Sequence, residues 1–384
     1  MNCIGINPAD GQVIEVVFDT QIREVRPAAK PADDYLAPAW IDIQVNGFAG
    51  VDYNRPETAQ EEIARSIHAV YATGAARFYP TVITGGPEDM AGSLANLARA
   101  KETLPEGEAI EGFHVEGPHI SPEDGPRGAH PVRWVRRPDL DEYRRWQDAA
   151  RGHIRLITLS PEWPEAPQYI ETIVTDGVVA SIGHTKATRE QIRDAVLAGA
   201  TMSTHLGNGA HGILQRHPNY IWEQLAEDRL MAGFIVDGIH LPECYLKVAL
   251  RAKGVDRSVL VTDASSPAGA EPGRYRLGEQ EVDLTADDRV VLAGKDKLAG
   301  SALRMQDGVS NLMRLAGIAL ADAVKMATVN PAKAGNVPDR KRGLAPGDRA
   351  DFVVFRFDEP TRRIDVQATF VSGRTVYSAG ASVN

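Results

Sequence analysis

The sequence predicts an α/β protein, a (β/α)8 TIM-like barrel with a small β-sandwich domain built from both chain termini. Three observations lead to this fold class. Apolar strand-like runs alternate with helical patterns through the middle of the chain, and eight such runs can be identified. Several of these runs end in a side chain that could bind a metal. The two ends of the chain carry short alternating β-like runs instead.

Length and composition set the limits of the prediction. The 384 residues suffice for a large barrel and a smaller domain, and 43% hydrophobic with 24% charged residues is ordinary for a globular protein. A net charge of -10 opposes general affinity for nucleic acid or anionic membranes. The only cysteines are Cys3 and Cys244, so we expect no disulfide framework and a cytoplasmic location. Neither a secretory signal nor a membrane-spanning apolar run is evident.

The two termini have similar patterns. The segment Gln12–Phe18 alternates as a strand does, and so do Asp351–Phe355 and Ala368–Tyr377. We therefore expect residues 1–38 and 345–384 to fold together as the small sandwich, beside a barrel formed by residues 39–344. The alternative is that each chain end packs on the barrel separately.

The barrel strands are predicted by apolar runs separated by helical spacing, as in Ala59–Ala72, Glu88–Glu102 and Arg189–Leu197. An open doubly wound sheet is the second choice, because no Gly-x-Gly-x-x-Gly turn follows the first strand. The predicted strands are Trp40–Val45, Phe78–Ile83, Gly112–Glu116, Ile154–Leu159, Val178–His184, Met202–His205, Met231–Val236 and Val259–Asp263.

Four of these strands end in a potential metal ligand: Glu116, His184, His205 and Asp263. Any one of them alone is more often a hydrogen-bonded strand end than a ligand. Polar groups at the ends of apolar strands are costly unless they are paired, however, and the carboxyl ends of barrel strands meet at one mouth. The pattern therefore predicts one shared divalent metal, and an open coordination position would make the site catalytic.

Five ordered motifs carry a resemblance to a known family. Together they resemble the N-acetylglucosamine-6-phosphate deacetylase family of the amidohydrolase superfamily over nearly the whole length, including the tail Met326–Ala332. This resemblance implies hydrolysis of an amide that frees acetate and an amino sugar phosphate. The motifs are Val115-Glu116-Gly117-Pro118-His119, Ile182-Gly183-His184-Thr185, Thr204-His205-Leu206-x-Asn208, Val236-Asp237-Gly238-Ile239-His240 and Val261-Thr262-Asp263-Ala264.

The resemblance also implies how metal is held. In this family the first strand may end in His-x-His or, as here, in Gln-x-Asn, with Gln44 and Asn46. Neutral amides bind Zn far more weakly than imidazole does, so a second metal should bind poorly. We expect one tightly held metal, Zn before Fe, on Glu116, His184 and His205, with water as the fourth ligand. Gln44 and Asn46 form either a second weak metal site or hydrogen bonds to neighbouring strand ends.

Two further residues receive catalytic roles from the resemblance. Asp263 would be the general base and later the general acid, although a fifth metal ligand without a proton role is the alternative. His130, in Gly128-Ala129-His130-Pro131, matches the family histidine that helps to polarise the amide carbonyl. Taken alone, a histidine in a loop is more often solvated.

Substrate contacts are implied in the same way. Asn208, Gly209 and Arg216 match phosphate-binding positions, and in the family that arginine comes from the neighbouring subunit, which implies a homodimer. His240 either contacts the sugar or holds the end of the seventh strand by a hydrogen bond. The remaining residues expected around the sugar are Ala129, Leu298, Ala299 and Gly300.

The chain departs from the family pattern at the sugar and phosphate end. It has Leu206–Gly212 where an aromatic residue and then Asn-Ala-Met are common, and His217 where an acidic residue often precedes proline. Substrate identity is therefore open between N-acetylglucosamine 6-phosphate, another N-acetylated sugar with or without phosphate, and another N-acyl or cyclic amide. A metal-free, non-enzymatic binding protein is a third hypothesis.

Overall fold

A computed structural model describes residues 1–338 and 343–380. Residues 339–342 and 381–384, which belong to the predicted barrel and sandwich segments, lie outside the described residues. The strands are β1 (Asn2–Ile6), β2 (Val13–Phe18), β3 (Ile22–Pro27), β4 (Tyr35–Pro38), β5 (Trp40–Val45), β6 (Gly47–Phe48), β7 (Val51–Asp52), β8 (Ala75–Ile83), β9 (Phe113–Glu116), β10 (Ile154–Leu159), β11 (Val179–Ile182), β12 (Met202–Ser203), β13 (Met231–Ile235), β14 (Ser258–Val261), β15 (Gly273–Leu277), β16 (Gln280–Leu284), β17 (Val290–Leu292), β18 (Phe352–Asp358), β19 (Arg363–Val371) and β20 (Arg374–Ser378).

The α-helices lie mainly between the barrel strands. Short 3₁₀ helices occupy Pro105–Ala109, Val132–Trp134 and Val255–Arg257. The α-helices are α1 (Gln60–Tyr71), α2 (Pro87–Thr103), α3 (Leu140–Ala149), α4 (Ala166–Thr175), α5 (Arg189–Leu197), α6 (Tyr220–Ala226), α7 (Glu243–Lys253), α8 (Met305–Ala316), α9 (Leu320–Ala327) and α10 (Val329–Ala334).

Eight parallel strands form the barrel, in the order β5-β8-β9-β10-β11-β12-β13-β14. A parallel bridge between Val45 and Ala264 closes the ring, and the amide of Asn46 donates to the Ala264 carbonyl at 2.7 Å. The predicted barrel is therefore confirmed. Strands β11 and β12 end before His184 and His205, because both histidines have a left-handed backbone, which cannot continue a strand.

The helices bury apolar faces against the barrel. Helix α1 turns Ile63, Ile67 and Val70 inward and places acidic residues in its first turn, where they favour the helix dipole. The side chain of Asp139 caps α3 by accepting from the amides of Asp141 at 2.8 Å and Glu142 at 3.0 Å. Such caps and faces fix the helices that connect successive strands.

A buried polar layer lies inside the barrel beneath the mouth. His114 Nε2 is 2.7 Å from Thr158 Oγ1, and the Thr204 hydroxyl is 2.6 Å from those of Thr158 and Ser181. Burial lowers the pKa of His114 to about 4, so this histidine is neutral. The layer joins strands β9 to β12 directly below the residues that point into the mouth.

Both chain ends contribute to one seven-stranded sheet, in the order β20-β19-β18-β4-β1-β2-β3. This sheet is strongly curved, because the ring of Phe18 on β2 lies 4.8 Å from Phe352 on β18 and 5.9 Å from Phe370 on β19. The two halves face each other as in a sandwich, although they belong to one continuous sheet. The shared core that they enclose contains Ile14, Val16, Phe18, Ile22, Leu36, Ala350 and Phe352.

The terminal sheet is fixed to the barrel by a buried ion pair, in which Arg77 Nε of β8 lies 2.6 Å from Asp351 Oδ2. The exact division into residues 1–38 with 345–384 and residues 39–344 stays a prediction. Over the described parts of the chain, we find no helix with the length and apolar character needed to cross a bilayer.

The three-stranded sheet β15–β17 was not predicted. It is inserted between β14 and α8, and it packs Leu277, Val282 and Leu284 against Ile83 and Ala299. Gln280 at the start of β16 donates through Nε2 to the Ala129 carbonyl at 2.8 Å. The insertion therefore forms one wall above the barrel mouth.

Candidate active site

A cavity of about 580 Å³ opens at the carboxyl end of the barrel strands. Most residues predicted to form the site line this cavity, while Gln44 lies against two of the lining side chains and Arg216 is not part of the lining. The predicted residues in the lining are Asn46, Glu116, Ala129, His130, His184, His205, Asn208, Gly209, His240, Asp263, Leu298, Ala299 and Gly300.

Glu116, the last residue of β9, is at the centre of the polar cluster. Its Oε1 atom lies 2.9 Å from His205 Nε2 and 3.1 Å from His184 Nε2. Burial alone would raise the pKa of Glu116, but hydrogen bonds from the two histidines outweigh it and hold that pKa well below the usual range. Glu116 is thus a carboxylate facing two imidazoles.

His184 is oriented by a backbone carbonyl. Its Nδ1 is 2.8 Å from the carbonyl oxygen of Pro126, which can only accept, so Nδ1 carries the proton. The hydrogen bond from Nε2 to Glu116 therefore requires the protonated ring, whereas in the neutral ring Nε2 carries the lone pair that a metal ligand needs. A carbonyl that fixes the tautomer in this way is typical of metal-binding histidines.

His205 shares the same carboxylate oxygen. Burial disfavours its charged form, yet the hydrogen bond and the charge of Glu116 raise the pKa of His205. Its Nδ1 is buried and finds no hydrogen-bond partner among the residues that the structure describes. The contact to Glu116 therefore determines the position of this ring.

These side chains form a possible metal site. One ligand atom each from Glu116, His130 and His184 fall within 4.8 Å of one another, and His205 contacts the same Glu116 oxygen. The set of one carboxylate and several imidazoles matches the chemistry of Zn or Fe sites. On geometry alone, His130 is therefore a candidate ligand beside the three that were predicted.

Gln44 and Asn46 act as hydrogen-bond donors between the carboxylates. Gln44 Nε2 donates to Glu116 Oε1 and to Asp263 Oδ1, both at 3.1 Å. Asn46 Nδ2 donates to Asp263 Oδ1 at 2.7 Å. Since ionised carboxylates only accept, the amide nitrogens face them and the amide oxygens point elsewhere. This arrangement matches the hydrogen-bonding alternative for both residues.

Asp263 follows β14 and has a left-handed backbone, with φ of 51°. His184 and His205 share this conformation, with φ of 48° and 27°. A non-glycine residue in this region costs about 1–3 kcal/mol, and three such residues meet at this cavity. Burial, followed by the charge of Glu116, raises the pKa of Asp263 to about 6.

His130 is buried, unlike an ordinary loop histidine. Its Nε2 lies 3.3 Å from His184 Nε2, and its Nδ1 lies 2.8 Å from the hydroxyl of Thr84. Burial and the neighbouring His184 lower the pKa of His130 to about 3, so the ring is neutral. Thr84 was missed in the sequence, where an isolated threonine after a strand gives no signal.

His240 lines the cavity and is held by Asp237. The Asp237 carboxylate lies 2.5 Å from His240 Nδ1 and accepts the amides of Ile239 and His240 at 2.8 Å. One ring nitrogen of His240 is thus fixed while the ring lines the cavity, and a contact with the sugar stays a prediction. Asp237 had no assigned role, although an aspartate three residues before a histidine was a usable signal.

The wall formed by residues 207–212 is unusually close to the polar cluster. Gly209 has φ of 55°, and a Cβ atom there would lie 2.6 Å from His184 Nδ1. Asn208 donates through Nδ2 to the His205 carbonyl at 3.3 Å. Arg216 is exposed in the following segment. Gln280 and Lys297 also line the cavity and were not predicted.

The amidohydrolase family model matches residues 35–376. The N-acetylglucosamine-6-phosphate deacetylase of Bacillus subtilis is 32% identical over 362 residues, covering 92% of this chain and 89% of the relative. That of Homo sapiens is 35% identical over 361 residues, covering 90% and 84%.

Solved structures give the same result. A mutant N-acetyl-D-glucosamine-6-phosphate deacetylase from Mycobacterium smegmatis, in complex with N-acetyl-D-glucosamine-6-phosphate, has a TM-score of 0.88 and 31% identity, covering 98% of this chain and 99% of that chain. The N-acetylglucosamine-6-phosphate deacetylase from Thermotoga maritima has a TM-score of 0.86 and 26% identity, with coverage of 99% and 100%. The chain therefore belongs to the amidohydrolase family and, within it, to the N-acetylglucosamine-6-phosphate deacetylases.

Proposed function

We propose that this protein hydrolyses the acetamide of N-acetylglucosamine 6-phosphate to glucosamine 6-phosphate and acetate. The observation that carries the proposal is the convergence of Glu116, His184, His205 and Asp263 at the floor of one cavity. The family relationship supports the same reaction and the same class of substrate.

The metal ligands in this proposal are Glu116, His184 and His205, and Zn is the preferred ion. All three follow or end barrel strands, whereas His130 comes from a loop and has its Nδ1 against Thr84. When bound, the divalent metal supplies Lewis acidity and lowers the pKa of a water molecule. Gln44 and Asn46 orient the two carboxylates and do not hold a second metal.

Asp263 moves the proton. Its carboxylate accepts a proton from the attacking water as oxygen adds to the amide carbon, and it returns that proton to nitrogen as the C–N bond breaks. The two products are acetate and the free amine. Hydrogen bonds from Asn46 and Gln44 hold Asp263 Oδ1 in place and leave Oδ2 for this transfer.

His130 stabilises the oxyanion. A neutral imidazole can donate from Nε2 only when Nδ1 is unprotonated, and the Thr84 hydroxyl at 2.8 Å then donates to Nδ1. A donor aimed at the developing negative charge accelerates amide hydrolysis more than it strengthens substrate binding. His240, fixed by Asp237, and the wall of Ala129 and Leu298 to Gly300 orient the sugar.

At the phosphate end we propose Asn208 and Gly209, together with Arg216 from a second copy of the chain in a homodimer. The location of Arg216 outside the cavity lining of its own chain supports a role in the neighbouring site. A cytoplasmic location is also proposed, supported by Cys3 and Cys244, which are both free thiols.

The test is a direct assay. Purified protein loaded with Zn is incubated with N-acetylglucosamine 6-phosphate, and acetate and free amine are followed by NMR. Equal amounts of the two products are expected, and an Asp263→Asn variant serves as the inactive control. Full metal occupancy without turnover would refute the proposed substrate.

An unphosphorylated N-acetylated sugar is the second candidate, favoured by the departures from the family pattern at Leu206–Gly212 and His217, which lie at the sugar and phosphate end. Equal kcat/KM for N-acetylglucosamine with and without the phosphate would support it. A cyclic or other N-acyl substrate would be indicated if neither sugar reacts but a simple N-acyl compound does. Elemental analysis separates all of these from a metal-free binding protein, which would take up neither Zn nor Fe.

A further inference from the structure

The cavity contains one cation that none of the assigned roles uses. Among residues 1–338 and 343–380, Lys297 is the only lysine or arginine in the cavity lining. A phosphate monoester carries close to two negative charges at neutral pH, and its removal from water requires cationic partners. Arg216 of the same chain does not line the cavity.

We propose that Lys297 binds the phosphate group of the substrate from within the same subunit and sets the preference for a phosphorylated sugar. The inference rests on the proposed function, because it assigns a residue to the phosphate end of that substrate. Lys297 directly precedes Leu298, Ala299 and Gly300, which line the same cavity. Its backbone position is thus fixed by the wall that faces the sugar.

The ion pair that Lys297 forms with Asp124 is weak enough for a phosphate to replace it. Lys297 Nζ lies 2.9 Å from Asp124 Oδ1, but the side chain of Asp124 is 79% exposed and that of Lys297 is 35% exposed. Ion pairs this exposed contribute little to stability. Arg127 Nη2 lies 3.2 Å from the same Asp124 oxygen. Asp124 therefore keeps a cationic partner when Lys297 turns to a phosphate.

The surrounding charges favour this exchange. Asp296 is the acidic lining residue next to Lys297, and Arg289 pairs with it at 2.5 Å. Glu123, beside Asp124, is paired with Lys186 at 2.7 Å and contacts His211 at 3.2 Å. These carboxylates already have cationic or imidazole partners, so an anion entering beside Lys297 meets little uncompensated negative charge.

The location agrees with the predicted phosphate end. Lys297 lines the same cavity as Asn208 and Gly209. The loop that carries its partner Asp124 packs against the segment after Gly209, since a Cβ on Gly125 would lie 3.1 Å from the Cα of His211. A phosphate held between these segments would meet an ammonium group on one side and the Asn208 amide on the other.

The test compares Lys297→Gln with Lys295→Gln, which removes the same charge from an exposed residue two positions away that does not line the cavity. For N-acetylglucosamine 6-phosphate, we expect Lys297→Gln to lower kcat/KM about 10- to 100-fold, mainly through KM, the size of one charge-assisted contact. The same variant should change kcat/KM for unphosphorylated N-acetylglucosamine by less than about threefold. Lys297→Arg should restore part of the loss, and Lys295→Gln should behave as wild type.

The possible results separate the role of Lys297 from the deacetylase function itself. A loss confined to the phosphorylated sugar and to Lys297→Gln supports the inference. An unchanged KM, or equal losses for both sugars, overturns it while the deacetylase function stands. Absence of turnover by the Zn-loaded wild type instead refutes the proposed function, and the role of Lys297 falls with it.

Discussion

The replacement Asp263→Asn separates the proton role of this residue from its structural role. Asparagine has nearly the same shape and can still accept the hydrogen bonds that Asn46 and Gln44 donate to Oδ1. It cannot take a proton from water. General-base catalysis contributes about 100- to 10,000-fold, so kcat should fall by that factor, which is about 3–5 kcal/mol in activation free energy.

The same replacement should leave the fold intact. Burial raises the pKa of Asp263 from 3.8 to about 6, so the folded protein loses stability as the pH rises through this range, in total about 3 kcal/mol. Above pH 6 the metal-free wild type bears this cost, whereas the neutral amide does not. The Tm of the metal-free variant should therefore equal or exceed that of wild type at pH 8.

The assay is steady-state kinetics at matched Zn occupancy, with thermal unfolding of the metal-free proteins alongside. Asp52→Asn is the matched control, because Asp52 is a buried carboxyl whose pKa burial likewise raises to about 6, and it does not line the cavity. It should keep kcat within about threefold of wild type. A kcat for Asp263→Asn within tenfold of wild type would refute the proton role, and a large drop in Tm would assign the loss to misfolding.

Three further outcomes follow from the same site. Thr84→Val should lower kcat about tenfold or more with little change in KM, because only a hydroxyl at this position can donate to His130. Thr84→Ser keeps the hydroxyl and should therefore retain the wild-type kcat. Equal kcat values for the two variants would contradict this role of Thr84. Replacing Gln44 and Asn46 together by histidine should raise the Zn content, measured by elemental analysis, from about one to about two per chain. An unchanged Zn content would contradict the proposal that these two amides are the reason why a second metal does not bind. The kcat/KM should fall with decreasing pH as Asp263 gains its proton, with a midpoint at or below about 6 because a bound cation favours the carboxylate. A kcat/KM that rises as the pH falls would contradict that step.

The barrel could be predicted because its signals are local. Buried parallel strands such as β8 have no exposed face, so they are rich in apolar residues, and potential metal ligands appear where several of the strands end. Glu116, His184, His205 and Asp263 stood at such ends, and their convergence follows from barrel topology. The sheet shared by the chain ends was also visible, because both ends have alternating patterns.

Other features depend on contacts that no local pattern contains. The left-handed backbone at His184 and His205 is held by contacts from the whole barrel mouth. The sequence does not show the free-energy cost of this conformation or the contacts that offset it. Thr84 meets His130 across 46 positions of sequence. Asp237 and the β15–β17 insertion contribute to the site through the residues that they contact. Hydrophobic periodicity indicates which residues are buried, but it does not show which residues they pack against.

The proposed function depends on one divalent metal that is held by Glu116, His184 and His205 beside Asp263. Anomalous diffraction from crystals of the Zn-loaded protein, recorded on both sides of the Zn absorption edge, would locate this metal. We expect one strong peak per chain, about 2.0–2.2 Å from one ligand atom of each of the three residues. A peak held by His130 in place of His205, a second strong peak at Gln44 and Asn46, or no peak in this cavity would contradict it.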